Sequence, residues 1–148
     1  MSLVLLVEDD PSDEKLALRA FKRCSQPFEL AVARDGAEAL DFLFAEGSHE
    51  DRAGAPLPRL VLLDLKLPRI DGIDVLRRVR ADERTRLVPV VVFSASREEE
   101  DLRRSLQLGA NAYLRKPVDF AEFVDAARIL VSFWIFLNQP APLPRGAA

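Results

Sequence analysis

Five short aliphatic runs, each followed by a longer amphipathic stretch, constrain this chain more than any other feature of its sequence. Leu3 to Val7, Leu30 to Ala33, Leu60 to Leu63, Val90 to Phe93 and Ala112 to Leu114 are brief and largely Val- and Leu-rich. Runs of that kind predict strands buried on both faces of a parallel sheet. Between them, Ser12 to Cys24, Ala37 to Ala45, Ile73 to Ala81, Glu98 to Leu108 and Phe120 to about Leu137 carry apolar residues at helical spacing. Leu16, Ala20 and Phe21 in the first helix, and Leu102 and Leu106 in the fourth, are the stripes expected to face the sheet. Parallel strands need crossover connections, so five β/α units predict a doubly wound α/β fold.

The punctuation supports these divisions. Pro11 suits the first turn of a helix, Gly36 precedes the second helix, Gly109 ends the fourth, and Pro117 parts the last strand from the last helix. Residues 47–58 are polar, contain Pro and Gly, and lack periodicity, which predicts a surface loop. The chain ends in a Pro-rich tail over 139–148, expected to be extended.

At 148 residues the length suits one domain, here 1–138, with a substantial core of its own. Basic side chains number 21 and acidic ones 24, a net charge of -3 that offers no electrostatic footprint for nucleic acid. The single cysteine, Cys24, cannot form an internal disulfide and is expected to be inert packing. The start of the chain shows no basic segment or cleavage site, so a cytoplasmic setting is expected. The longest apolar stretch, Ile129 to Leu137, is well short of the roughly 20 residues a helix needs to span a bilayer, so no membrane partner is expected.

The chemistry-bearing residues gather at strand ends. Glu8 and Asp9 follow the first strand, Asp64 the third, Ser94 the fourth and Lys116 the fifth. In open α/β sheets ligands bind at those carboxyl ends. Three neighbouring carboxylates, Glu8, Asp9 and Asp64, repel one another unless a cation sits among them, which predicts a hard divalent ion; Mg²⁺ suits an all-oxygen shell. The Asp64 carboxylate is placed to attack phosphorus and form an aspartyl phosphate. Lys116 and the metal would then neutralise phosphoryl oxygens, and Ser94 would donate a hydrogen bond to one of them.

Val7-Glu8-Asp9-Asp10, Leu63-Asp64 followed by Leu67-Pro68-Arg69-Ile70-Asp71-Gly72, Ser94-Ala95 and Lys116-Pro117, in that order, resemble the receiver domain of two-component response regulators. The resemblance spans about Leu3 to Val131. It implies a flavodoxin-like five-stranded parallel sheet of order 2-1-3-4-5 with five helices. It also implies that Asp64 is the phosphoacceptor, that Glu8, Asp9 and the backbone carbonyl of Lys66 serve the metal, that Ser94 is the switch hydroxyl, and that Tyr113 is the aromatic that moves with it. Tyr113 equally suits a core cap with a wet hydroxyl. A sensor histidine kinase is the implied donor. The Glu8-to-Asp13 start, the long 47–58 loop and the extended terminal helix resemble the small phytochrome-associated class, implying a phytochrome-type kinase.

Asp10 and Asp13 read as a helix start rather than metal ligands, and His49 as a solvated loop residue. The terminal helix, 119–138, is apolar nearly all round. Phe120, Phe123, Val124, Ala127, Leu130, Val131, Trp134 and Leu137 supply a sheet-facing stripe. Ile129, Phe133, Ile135 and Phe136, with Trp134, are expected to form a homodimer interface. Only about ten residues follow, so output is expected through association. A turnover phosphatase of the haloacid dehalogenase type would need an acid two residues after Asp64, where Lys66 stands. A dinucleotide-binding domain would need a Gly-rich turn in place of Glu8-Asp9-Asp10. The chain is accordingly expected to be a phosphoacceptor and not an enzyme; the remaining rival is an interaction module that works without phosphorylation.

Overall fold

The computed structural model describes residues 1–142, so residues 143–148 of the expected Pro-rich tail lie outside the described part. Five parallel strands run in the order β2-β1-β3-β4-β5. They are β1 (Leu3–Val7), β2 (Glu29–Ala33), β3 (Leu60–Leu63), β4 (Val90–Ser94) and β5 (Ala112–Arg115). The connecting helices are α1 (Pro11–Lys22), α2 (Gly36–Phe44), α3 (Gly72–Ala81) and α4 (Glu99–Gln107), and α5 (Phe120–Leu130) closes the domain.

Alternation along the central strands explains why helices cover both faces. Val4, Leu6, Leu60 and Leu62 point into a core shared with Ala17, Ala20 and Phe21 of α1 and Phe123 and Ala127 of α5. Leu5, Val7, Val61 and Leu63 point the other way, against Leu40 and Leu43 of α2 and Val75, Leu76 and Val79 of α3. Each such Leu or Val contributes roughly 1.5–3 kcal/mol by leaving water. Helix starts are fixed by short acids: Asp10 accepts from the N–H groups of Ser12 and Asp13 with Pro11 in the first turn, and Asp35 accepts from Glu38 N–H. Gly109 ends α4 at φ 101°, a conformation that favours glycine.

The expected stripe on α4 is out of phase. Leu102 and Leu106 are exposed, whereas Ser105 is buried and Leu108 half-buried. The small Ser105 satisfies its hydroxyl on the Asp101 carbonyl at 2.7 Å, so the helix can lie close to the sheet on that side. The leucines are thereby turned to its flanks.

The terminal helix also departs from expectation. It continues past α5 without a break, but Val131–Leu137 winds as a π-helix, with Asn138 N–H reaching the Phe133 carbonyl at 2.7 Å across five residues. The buried face of α5, with Phe123 and Ala127, continues into the wider-wound segment through Val131 and Ile135. Ile135, expected in the dimer interface, is therefore 2% exposed inside its own core, and Trp134 packs on the same core half-buried. Leu137, expected on the sheet, is 71% exposed instead. Ile129, Phe133 and Phe136 remain on the outside as expected.

The segment after α2 is less loose than a polar loop. It opens with a 3₁₀ turn, Gly47–Arg52, that docks on α2: the Arg52 guanidinium lies over Phe42 at 3.8 Å, and His49 Nε2 lies 3.2 Å from Glu38. His49 is thus half-buried rather than solvated. Cys24 packs half-buried against the α1/α5 core, and burial pushes its thiol up. Among the described residues no helix is long and apolar enough to cross a membrane.

Candidate functional site

Backbone hydrogen bonding runs one residue past three of the strands and so fixes where the reactive side chains leave the sheet. Glu8 N–H donates to the Ala33 carbonyl at 2.9 Å, Asp64 N–H to Val7 at 3.1 Å and Lys116 N–H to Ser94 at 2.9 Å. Strand order reverses between β1 and β3, where a crevice is expected. Glu8, Asp9, Asp13, Asp64, Lys66, Ser94, Ser96 and Lys116 all line one open cleft there. Glu8, Asp64 and Ser94 are buried, while Asp9 stands exposed at the rim.

The Lys116 ammonium sits at the centre of the acids. It donates to Asp64 Oδ2 at 2.8 Å, to Asp13 Oδ2 at 3.1 Å and to Glu8 Oε1. Burial alone pushes this ammonium down, but hydrogen bonds to Asp64 and Glu8, with their charges, outweigh it and hold the group above its ordinary range. Glu8 moves the other way: burial raises its carboxyl from 4.5 to about 7, opposed by Lys116 and assisted by the charge of Asp64. One ammonium cannot balance two buried acids, Glu8 and Asp64, with Asp9 and Asp13 beside them at the rim.

The donor set fits a divalent cation. Carboxylate oxygens of Glu8, Asp9 and Asp64 can all lie within 4.8 Å of one another, and a hard ion there would supply the charge that Glu8 lacks. Lys66 lies beside the acids with its N–H 3.4 Å from Asp64 Oδ1 and its side chain 71% exposed. Ser94 Oγ accepts from Ser96 N–H at 3.2 Å. The Tyr113 ring packs half-buried by Leu65, Ile73 and Val92, and its hydroxyl donates to the Ser96 carbonyl at 3.2 Å. Its hydroxyl is thus tied to the β4–α4 loop.

Three contributors escape a reading by residue type. Asp13 is a first-turn acid of α1, as expected, yet it also holds Lys116; an acid three positions beyond a helix cap gives no sign of that second task. Gly72 presses its backbone against the Asp64 carbonyl and Leu65 Cα, and donates its N–H to Leu65 at 3.0 Å. Any side chain there would strike the main chain of Asp64 and Leu65. Asp101, on α4, accepts from Ser96 Oγ at 2.5 Å and faces Lys66.

A buried acid at the end of β3, an acidic pair after β1, a hydroxyl closing β4 and a lysine after β5 meet at one edge of a flavodoxin-like sheet, the arrangement of a receiver-type protein. The response regulator receiver domain family matches residues 4–128, and the chain belongs to that family of two-component signalling proteins. Among its relatives, the probable methanogenesis regulatory protein FilR2 of Methanothrix harundinacea is 40% identical over 141 residues, covering 95% of this chain and 88% of that one. Response regulator Rcp1 of Synechocystis is 35% identical over 133 residues, covering 90% and 88%. The solved Mn²⁺-bound form of Rcp1 superposes with a TM-score of 0.86 at 33% identity, over 96% of this chain and 100% of that one. The phosphorylated cyanobacterial phytochrome response regulator RcpA gives 0.87 at 33% identity, over 95% and 99%.

Proposed function

We propose that this chain takes a phosphoryl group from a sensor histidine kinase onto Asp64, with Mg²⁺, and signals through altered association with other proteins. The observation that carries this reading is the Lys116 ammonium 2.8 Å from Asp64 Oδ2, within a cleft that also gathers Glu8 and Asp9. Asp64 is the nucleophile: its oxygen bonds to phosphorus as the bond from phosphorus to the donor histidine breaks. Lys116, already 2.8 Å from the Asp64 carboxylate, is placed to neutralise one phosphoryl oxygen. Ser94, one bond from Ser96 N–H, is the hydroxyl that would turn to the phosphoryl group, with Tyr113 following. Mg²⁺ held by Glu8, Asp9, Asp64 and the Lys66 carbonyl would offset the charge of the incoming group.

Lys66 two residues after Asp64 leaves no second acid for rapid hydrolysis, which favours a phosphoacceptor over a turnover enzyme. A phytochrome-type kinase is the favoured donor, since RcpA is named as a phytochrome response regulator. A homodimer through the terminal helix is favoured by Ile129 at 68%, Phe133 at 46%, Phe136 at 42% and Leu137 at 71% exposure on one short stretch.

Intact mass after incubation with acetyl phosphate tests the reading. One Mg²⁺-dependent phosphoryl adduct on wild type and none on Asp64→Asn is expected. A folded wild type without adduct would leave the phosphorylation-independent module as the answer.

A further inference from the structure

Lys66 and Ser96 both line the cleft, one in the loop after β3 and one in the loop after β4, and both converge on a single oxygen of Asp101. Ser96 Oγ donates to Asp101 Oδ2 at 2.5 Å, and Lys66 Nζ lies 3.8 Å from that same oxygen. The Asp101 side chain is 13% exposed and fixed in the first turn of α4, whereas that of Lys66 is 71% exposed and free to move. Lys66 N–H is itself 3.4 Å from Asp64 Oδ1, and Lys66 lines the same cleft as Asp64, so the root of its long side chain is anchored beside that carboxylate.

We propose that Asp101 is a positioning residue for the lifetime of the phosphoryl group, because it competes with the phosphoryl oxygens for the Lys66 ammonium. This rests on Asp64 being the acceptor. Loss of the group is hydrolysis: water oxygen bonds to phosphorus, the bond to the Asp64 oxygen breaks, and the carboxylate, inorganic phosphate and a proton are released. A phosphoryl group carries close to two negative charges and attracts Lys66, which then stands in the path of the water. Each moment that Asp101 holds Lys66 on α4 leaves that path open. Because Asp101 belongs to α4, anything that binds the start of that helix and engages Asp101 would release Lys66 to the phosphate and lengthen its life, and the coupling is reciprocal.

Asp101→Asn keeps an acceptor for the Ser96 hydroxyl and removes only the charge. The experiment follows decay of the phosphoryl adduct by intact mass, after removal of acetyl phosphate, in wild type, Asp101→Asn, Lys66→Ala and the double variant. Asp101→Asn is expected to lengthen the half-life roughly two- to fivefold, the scale of a partly exposed ion pair. Lys66→Ala is expected to shorten it, and the double variant to decay like Lys66→Ala alone. An unchanged half-life in Asp101→Asn overturns the proposal. So does an Asp101→Asn effect that persists undiminished without Lys66, since that would be a change in the loop itself. Absence of an adduct on wild type would instead bring down Asp64 as acceptor, a separate outcome.

Discussion

Lys116 and Asp64 are 52 residues apart in the chain, yet Nζ of one stands 2.8 Å from Oδ2 of the other, and the same ammonium also holds Glu8 and Asp13. It is therefore placed both to support a phosphoryl group on Asp64, under the function proposed above, and to compete with a metal ion for the same acids. Lys116→Met separates the two effects. Loss of one charge stabiliser is expected to slow adduct formation by about 10²-fold. Removing the rival cation is expected to tighten Mg²⁺ binding, read by calorimetry. Weaker Mg²⁺ binding in the variant would contradict this picture of competition.

Glu8 ties metal binding and stability to pH. Its carboxyl is raised from 4.5 to about 7 by burial, so between these values the unfolded chain releases a proton that the folded chain keeps. Without metal, the Glu8 contribution to stability is accordingly full below about 4.5, falls as pH rises to about 7, and is level above. The loss is on the order of 1.4 kcal/mol per pH unit across the window. Glu8→Gln removes that slope, and denaturant titrations at several pH values measure it. Mg²⁺ affinity in wild type should rise through the same window, with proton release on binding. A slope unchanged in Glu8→Gln would assign it to another group.

Gly72 sets the position of Asp64 by contact of main chain on main chain. A methyl group at residue 72 would meet the Asp64 carbonyl and Leu65 Cα, so the loop must shift. Gly72→Ala is expected to cost about 1–3 kcal/mol, the usual scale of overpacking. It should also slow phosphorylation in the fraction that remains folded. Denaturation combined with adduct kinetics checks both, and wild-type rates in a destabilised variant would show that the loop carries no positional information.

The π-helical segment makes opposite forecasts for neighbouring residues. Ile135 is buried against its own domain, so Ile135→Ala should cost about 2–5 kcal/mol without a direct effect on assembly. Phe133 is exposed, so Phe133→Glu should leave stability nearly unchanged and convert a dimer to a monomer, as read by light scattering. A monomeric wild type at micromolar concentration would remove the terminal helix from the assembly altogether.

What was legible in the sequence were features with a local cause. Val-Leu runs such as Leu60–Leu63 predict strands because both faces are apolar, and Asp10-Pro11 predicts a helix start because cap and first turn are chemically distinct. Strand-end positions of Glu8, Asp64, Ser94 and Lys116 follow from the same reading. Relations between distant segments were not legible. Arg80 binds the carbonyls of Gly109 at 2.9 Å and Val88 at 2.7 Å and the Asn111 amide oxygen at 2.9 Å, joining α3 to two loops, and nothing near Arg80 in sequence announces it. The phase of α4 was missed because Leu102 and Leu106 resemble a core stripe, while the residue that faces inward is the small Ser105. The terminal helix is legible as a helix, but which way Ile135 and Leu137 face is not, because a 3.6-residue period does not hold where Val131–Leu137 winds wider.

Tyr113 offers a direct readout of whether the site communicates with its surroundings, because it is the only tyrosine in the chain. Its hydroxyl is tied to the Ser96 carbonyl, and Ser96 N–H in turn holds Ser94 Oγ, so a hydroxyl drawn toward a phosphoryl group must disturb the bond to the ring. Protein labelled with 3-fluorotyrosine carries one fluorine environment in its NMR spectrum. Addition of acetyl phosphate and Mg²⁺ should move that resonance in wild type and leave it in place in Asp64→Asn. Ser94→Ala should still take up the group at Asp64, since the nucleophile and Lys116 are untouched, but with a much smaller shift. If Ser94→Ala moves the fluorine as far as wild type does, Tyr113 responds to the phosphoryl group by another route or simply caps the core beside Leu65 and Val92.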